Sequence, residues 1–264
     1  MIKKYKLLIL DLDGTVYLND KPLHNCIYYL NMYTTSGGKL IFLTNNTSVE
    51  KAIYLDKLKG LGLKNLTKNS IISPTDVFLN YCIVKEFKTC LYLTTQSTLK
   101  YIQNNNGPKL EYINPDIILI GFDKELSYEK LINASECINQ GTPYYLTNID
   151  LSCPTTKGPI PDCGAIGKLL QLTTGIEQTG HFGKPGKLMV HELINKIKAL
   201  QVNLNQVALV GDRYYTDIAL GNSIGIDTVH VQTGEKSEVD IMNIPTYEFN
   251  SLTDFLIKVL NIDR

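Results

Sequence analysis

Leu7-Leu8-Ile9-Leu10-Asp11-Leu12-Asp13-Gly14-Thr15 is the stretch on which the reading of this chain turns. Four apolar residues in a row read as a strand buried on both faces, as in a parallel sheet. The run delivers two acids, one residue apart, onto a glycine turn, and open α/β sheets place their ligands at the carboxyl ends of their strands. Adjacent carboxylates repel, so a fold gains nothing from them there. A divalent cation within reach of both would offset the repulsion, which marks the pair as a candidate catalytic constellation.

Outward from this strand the pattern alternates strand and helix, the signature of parallel α/β architecture. A helix is expected over 26–33, stopped by Gly37-Gly38, then a strand over 39–44 running into Asn45-Asn46. Thr47 and Glu50 have capping-box spacing, so a helix is expected to start there and run to about 61. Ser73-Pro74-Thr75 reads as a hinge. A second alternating series follows, with strands at 90–93, 116–121 and 143–146, helices at 76–84, 128–139 and 164–172, and a Pro/Gly/Thr-rich loop over 153–162. A third region restarts at Gly183-Lys184-Pro185, with a helix to about 199 and a strand over 206–210 ending in Gly211-Asp212. Asp212 repeats the opening pattern of an acid after an apolar strand. Residues 1–74 and 181–264 therefore read as one core domain, and 75–180 as an inserted α/β domain.

The bulk numbers narrow the function. In 264 residues, 26 Lys+Arg balance 26 Asp+Glu, so no basic field recruits nucleic acid or anionic lipid. The basic start is followed by an apolar run that Asp11 cuts short of a signal-peptide core, and no later segment approaches a membrane span. Six cysteines without zinc spacing read as reduced, mostly interior thiols. The expectation is a soluble cytoplasmic protein with neither nucleic-acid nor membrane partners. His24, His181, His191 and His230 are scattered without metal-ligand spacing and read as structural or solvated.

The acids suit phosphoryl chemistry. A carboxylate with an ordinary pKa of about 3.9 is ionised at neutral pH, so Asp11 needs no activating base to attack phosphorus. Asp13 is placed to protonate the departing alkoxide and then deprotonate water. Asp212 with Asp11 makes an oxygen-only site suited to Mg2+. Thr44, Asn45 and Asn46, where a strand gives way to a helix, offer donors for a phosphoryl group, and Lys184 adds a full positive charge. Each feature alone has an ordinary structural explanation as a turn, a cap or a surface lysine. Their occurrence in order, three of them directly after apolar strands, does not.

At these residues the chain resembles the haloacid dehalogenase-like hydrolases. Asp11-Leu12-Asp13-Gly14-Thr15, Thr44, Lys184 and Gly211-Asp212 with Asp217 match their four motifs. Tyr17, Leu43-Thr44-Asn45-Asn46, Gly121-Phe122-Asp123, Thr147-Asn148 with Asp150, Gly183-Lys184-Pro185 and Gly211-Asp212-Arg213 with Thr216-Asp217 look like the NagD and para-nitrophenyl phosphatase branch. The resemblance implies a Rossmann-like parallel-sheet core with an inserted cap, Asp11 as nucleophile and Asp13 as general acid/base. It implies Mg2+ held by Asp11, Asp212 and the backbone carbonyl of Asp13, with Asp217 orienting the site. Dehalogenases lack an acid equivalent to Asp13, whose presence favours phosphate esters. The implied function is a Mg2+-dependent phosphatase of small-molecule phosphate monoesters; a phosphotransferase or mutase using the same aspartyl-phosphate, and a non-catalytic phosphometabolite binder, are the alternatives. The cap is implied to supply specificity through Asp150, Lys157 and Asp162, and a homodimer through the cap is compatible with the family. Two positions depart from the family pattern: Asp162 in Pro161-Asp162-Cys163-Gly164, expected to alter leaving-group choice, and Ile149 in place of a proline.

Overall fold

The Leu7–Asp11 strand, every residue of it buried, lies inside a six-stranded parallel sheet. Its neighbours are Lys39–Leu43 on one side and Val207–Gly211 on the other. Ile71–Ile72 flanks the former; Asp227–Val231 and then Tyr247–Phe249 continue beyond the latter. The chain therefore leaves its first strand in one direction and returns on the other side, and such a reversal opens a ligand crevice at the strands' carboxyl ends. The register sets Leu10 beside Val210, so Asp11 and Gly211 finish side by side. This computed structural model describes residues 4–153, 155, 157–234 and 240–262.

The chain divides into two compact units. The first comprises Met1–Thr44, Lys51–Ile72 and Val190–Arg264; the second comprises Asn45–Glu50 and Ser73–Met189. The second unit has its own five-stranded parallel sheet, ordered Gly180–His181, Tyr144–Leu146, Ile117–Ile120, Thr89–Leu93 and Lys109–Leu110. Leu91, Ile118, Ile120, Leu146, Ile166 and Leu170 help build its core against the helices Tyr128–Asn139 and Cys163–Thr174. Both sheets are thus of the expected α/β kind, a Rossmann-like core and an inserted α/β domain. Among the described residues no helix is long and apolar enough to cross a membrane, and no cysteine forms a disulfide.

The unit boundaries differ from the sequence reading, and side chains explain why. Residues 181–189 pack with the second unit because Phe182 is fully buried there, stacked on Tyr145 at 5.3 Å and edge-on to Phe78 and Tyr81. Asn45–Glu50 joins it because Thr47 is drawn into that unit. The Thr47 hydroxyl lies 2.9 Å from that of Thr147 and accepts from the Phe122 amide. It is therefore not a helix cap, and the helix expected from Thr47 begins instead at Lys51 and runs to Gly60.

The expected hinge at Ser73-Pro74-Thr75 is a helix start. The Ser73 hydroxyl accepts from the Asp76 amide and the Asp76 carboxylate accepts from Ser73 N, with Pro74 at the first helical position of Pro74–Lys85. The region expected as a loop over 153–162 contains the small hairpin Ser152–Cys153 and Ile160–Pro161; Pro154 and Thr156 lie outside the described residues. The helices Gln96–Asn104 and Leu252–Val259 have no counterpart in the sequence reading.

Ser73→Ala, which removes a two-way cap, should lower stability by about 1 kcal/mol. Urea unfolding checks it, and an unchanged midpoint would show that the capping box contributes nothing.

Candidate active site

Three carboxylates converge in the first unit. Asp11, Asp212 and Asp217 are 8%, 3% and 1% exposed, and one oxygen from each lies within 4.8 Å of the others. Asp11 ends its strand and Asp212 follows the adjoining one, so sheet register brings this pair together. Asp217 arrives by a different route. The backbone after Asp212 makes a π-helical turn, Tyr214–Ile218, in which both the Asp217 and Ile218 amides donate to the Arg213 carbonyl at 3.1 and 3.2 Å. Such widened turns recur at functional sites. This one folds Asp217 back over Gly211, where a Cβ would overlap its carboxyl group. Arg213 N donates to Asp217 Oδ2 at 3.3 Å, and the Thr216 hydroxyl donates to it at 3.5 Å.

Asp13 is exposed and stands outside this side-chain cluster, in a tight loop where the Gly14 amide donates to Tyr17 O and Val16 N donates to Leu12 O. Gly14 takes φ +89°, and a Cβ there would sit 2.6 Å from Asp212 Oδ2, so this glycine both makes the turn and admits the second acid. The acid expected only to orient the site, Asp217, is the one that joins Asp11 and Asp212. An all-carboxylate set of this spacing fits a hard divalent cation with oxygen preference, and Mg2+ is of that kind. Thr44 follows the Lys39–Leu43 strand and is buried, its amide donating to the Ile72 carbonyl at 3.4 Å.

In the second unit the predicted polar residues form a buried network. Asn45 Oδ1 accepts from the Lys184 amide at 2.8 Å, while its Nδ2 donates to Lys184 O at 3.2 Å and Asp150 Oδ2 at 3.3 Å. Asn148 donates to Asn45 O and accepts from Asp150 N at 2.8 and 2.9 Å. Gly183 lets these chains meet, because a Cβ there would be 2.6 Å from both Asn45 Oδ1 and Thr147 O. Lys184, 2% exposed and followed by a cis peptide to Pro185, is thereby held at its backbone from both sides. Burial holds the nearby His181 imidazole below its ordinary pKa, opposed by the negative charge of Asp150. Asn46 turns its side-chain oxygen to the amide and hydroxyl of Ser48.

The cap candidates divide. Asp162 is 5% exposed and caps the Cys163–Thr174 helix, accepting from Cys163 N at 2.6 Å and Asn148 Nδ2 at 3.5 Å. One oxygen of the carboxylate, Oδ1, accepts both bonds and ties the helix start to Asn148. Asp150 is buried and bonded to Asn45. Lys157 is exposed, on the turn between Ser152–Cys153 and Ile160–Pro161. Sequence reasoning missed His230, which is buried with Nε2 3.0 Å from the Asp212 carbonyl; a lone histidine carries no spacing signal.

Comparisons with known proteins agree with this geometry. The sequence pattern of the haloacid dehalogenase-like hydrolases matches residues 8–108, and a HAD-hydrolase-like pattern matches residues 181–255. A Staphylococcus aureus protein named acid sugar phosphatase is 27% identical over 264 residues, spanning 98% of this chain and 99% of the relative. The crystal structure of a 4-nitrophenylphosphatase from Thermotoga maritima superposes with a TM-score of 0.88 at 30% identity, covering 97% of this chain and 98% of that one. A putative NagD protein gives 0.89 at 29% identity, covering 98% and 100%. With both acid-bearing strands and the inserted unit accounted for along its whole length, the chain belongs to the haloacid dehalogenase-like hydrolases, in their NagD and 4-nitrophenylphosphatase branch.

Proposed function

We propose that this protein is a Mg2+-dependent phosphatase of small phosphate monoesters, with Asp11 as nucleophile. The convergence of Asp11, Asp212 and Asp217 at adjoining strand ends carries the reading. The names of its relatives, acid sugar phosphatase and 4-nitrophenylphosphatase, support phosphate esters as the substrate class, and the former favours a hydroxyl-bearing leaving group.

In this mechanism an Asp11 carboxylate oxygen attacks phosphorus and the bond to the leaving oxygen breaks. Asp13, exposed beyond the strand, gives its proton to the departing alkoxide. It then takes a proton from water, whose oxygen bonds to phosphorus, freeing the Asp11 carboxylate and inorganic phosphate. Asp11, Asp212 and Asp217, with the carbonyl of Asp13, would hold Mg2+, which supplies charge neutralisation for the phosphoryl oxygens. Thr44, in the same unit as Asp11, serves as a donor to the phosphoryl group, since phosphoryl transfer is catalysed mainly by positioning and electrostatics.

Asp11→Asn should fold as the wild type does and lose several orders of magnitude in phosphate release from a panel of phosphomonoesters, and wild-type release should vanish with chelator. Full activity of the variant would remove Asp11 from the mechanism.

Among the cap candidates Lys157 is the one with an exposed side chain, so Lys157→Ala should reorder the ranking of sugar phosphates while changing 4-nitrophenyl phosphate hydrolysis little. Asp162→Ala should instead cost about 1 kcal/mol of stability through the lost cap and depress turnover of every ester alike. Comparison of kcat/KM across the panel with urea midpoints distinguishes the two; equal losses for Lys157→Ala would make its role structural.

A further inference from the structure

Five consecutive residues, His230-Val231-Gln232-Thr233-Gly234, touch both acid-bearing loops of the first unit. They run from the end of the Asp227–Val231 strand, where the register places His230 opposite Gly211. His230 Nε2 lies 3.0 Å from the backbone carbonyl of Asp212. A carbonyl only accepts, so Nε2 carries the proton and donates. The imidazole cannot swing away, because it is 6% exposed and lies flat on Tyr214, ring centres 4.1 Å apart at 25°. Tyr214 is itself fixed by a 2.8 Å hydrogen bond from its hydroxyl to Glu248.

Three residues further on, the Thr233 hydroxyl donates to the Gly14 carbonyl at 2.6 Å. Gly234 then passes so close to the second acid that a Cβ on it would overlap Asp212 Oδ2, and a Cβ on Gly14 would come within 2.9 Å of Gly234 Cα. One segment thus holds the Asp212 backbone through His230, the Asp11–Gly14 loop through Thr233, and the Asp212 carboxylate through Gly234.

We propose that His230 and Thr233 are positioning residues that fix the Asp11–Asp212 separation and so set the affinity of the site for its divalent cation. The inference rests on the carboxylate cluster being that site, as argued under Proposed function. The physical reason is repulsion. Asp11 and Asp212 sit at the ends of different strands, and without an external tie the loops beyond would relax apart, leaving a wider set of oxygens that binds a small ion less well. Outer hydrogen bonds of this kind characteristically change metal affinity by about tenfold or more.

The test is Mg2+ binding by isothermal titration calorimetry, with the Mg2+-induced rise in Tm as a second readout. Thr233→Val keeps the side chain's size and removes its donor, whereas Thr233→Ser keeps the donor. His230→Phe keeps the stack on Tyr214 and removes the bond to Asp212. Thr233→Val and His230→Phe should each weaken Mg2+ binding by about tenfold, with kcat recovering at saturating Mg2+ and Tm in chelator near the wild-type value, and Thr233→Ser should bind within about twofold of wild type. Wild-type affinity in Thr233→Val and His230→Phe, alongside lost binding in Asp212→Asn, would overturn the positioning role while leaving the metal site intact. Undiminished binding in Asp212→Asn would overturn the site itself, and the positioning role with it.

Discussion

Three buried carboxylates held within 4.8 Å of one another are the constraint around which this protein is built. At an effective dielectric of about 20, each such pair repels by about 3.5 kcal/mol or more if both members are ionised. No helix or strand preference favours that arrangement, so the scaffold must impose it. Two acids are forced together by parallel register, since Leu10 pairs with Val210 and the strands end level. The third is brought in by a backbone irregularity, the π-helical turn at Tyr214–Ile218.

Close approach explains the glycines around the cluster. Gly211 leaves room for Asp217, while Gly14 and Gly234 flank the Asp212 carboxylate. Each position trades local backbone stability for proximity of charge, as happens where a structure is shaped for chemistry rather than for folding. The second unit shows the same economy, with Gly183 allowing Asn45 to grip the backbone of Lys184.

Much of this was legible in the sequence, and the residues show why. Leu7–Asp11 is an apolar run ending in an acid and Val207–Gly211 one that an acid, Asp212, follows; the two in order, with Thr44 and Lys184 between them, marked the core. The Tyr128–Asn139 helix carries a serine cap, Ser127, and falls where expected. The Gln96–Asn104 helix did not show, because only Leu99, Tyr101 and Ile102 interrupt its polar residues, and its start rests on a single threonine cap. Thr47 and Glu50 had the spacing of a cap, but tertiary contact with Thr147 outcompeted the local bond. Asp162, expected to bear on leaving-group choice, also caps a helix, a role its place directly before an apolar helical run makes possible. The membership of Asp217 in the cluster depended on a widened turn, and the roles of His230 and Thr233 on strand register; neither leaves a mark in local periodicity.

The central claim is that Asp11 itself takes the phosphoryl group. A turnover mixture quenched in acid and reduced with borohydride converts an aspartyl-phosphate, but not a free aspartate, to homoserine. Peptide mass spectrometry should find homoserine at position 11 in the wild type and nowhere in Asp11→Asn. Unmodified Asp11 in an enzyme that is releasing phosphate, or homoserine at another aspartate, would contradict the account.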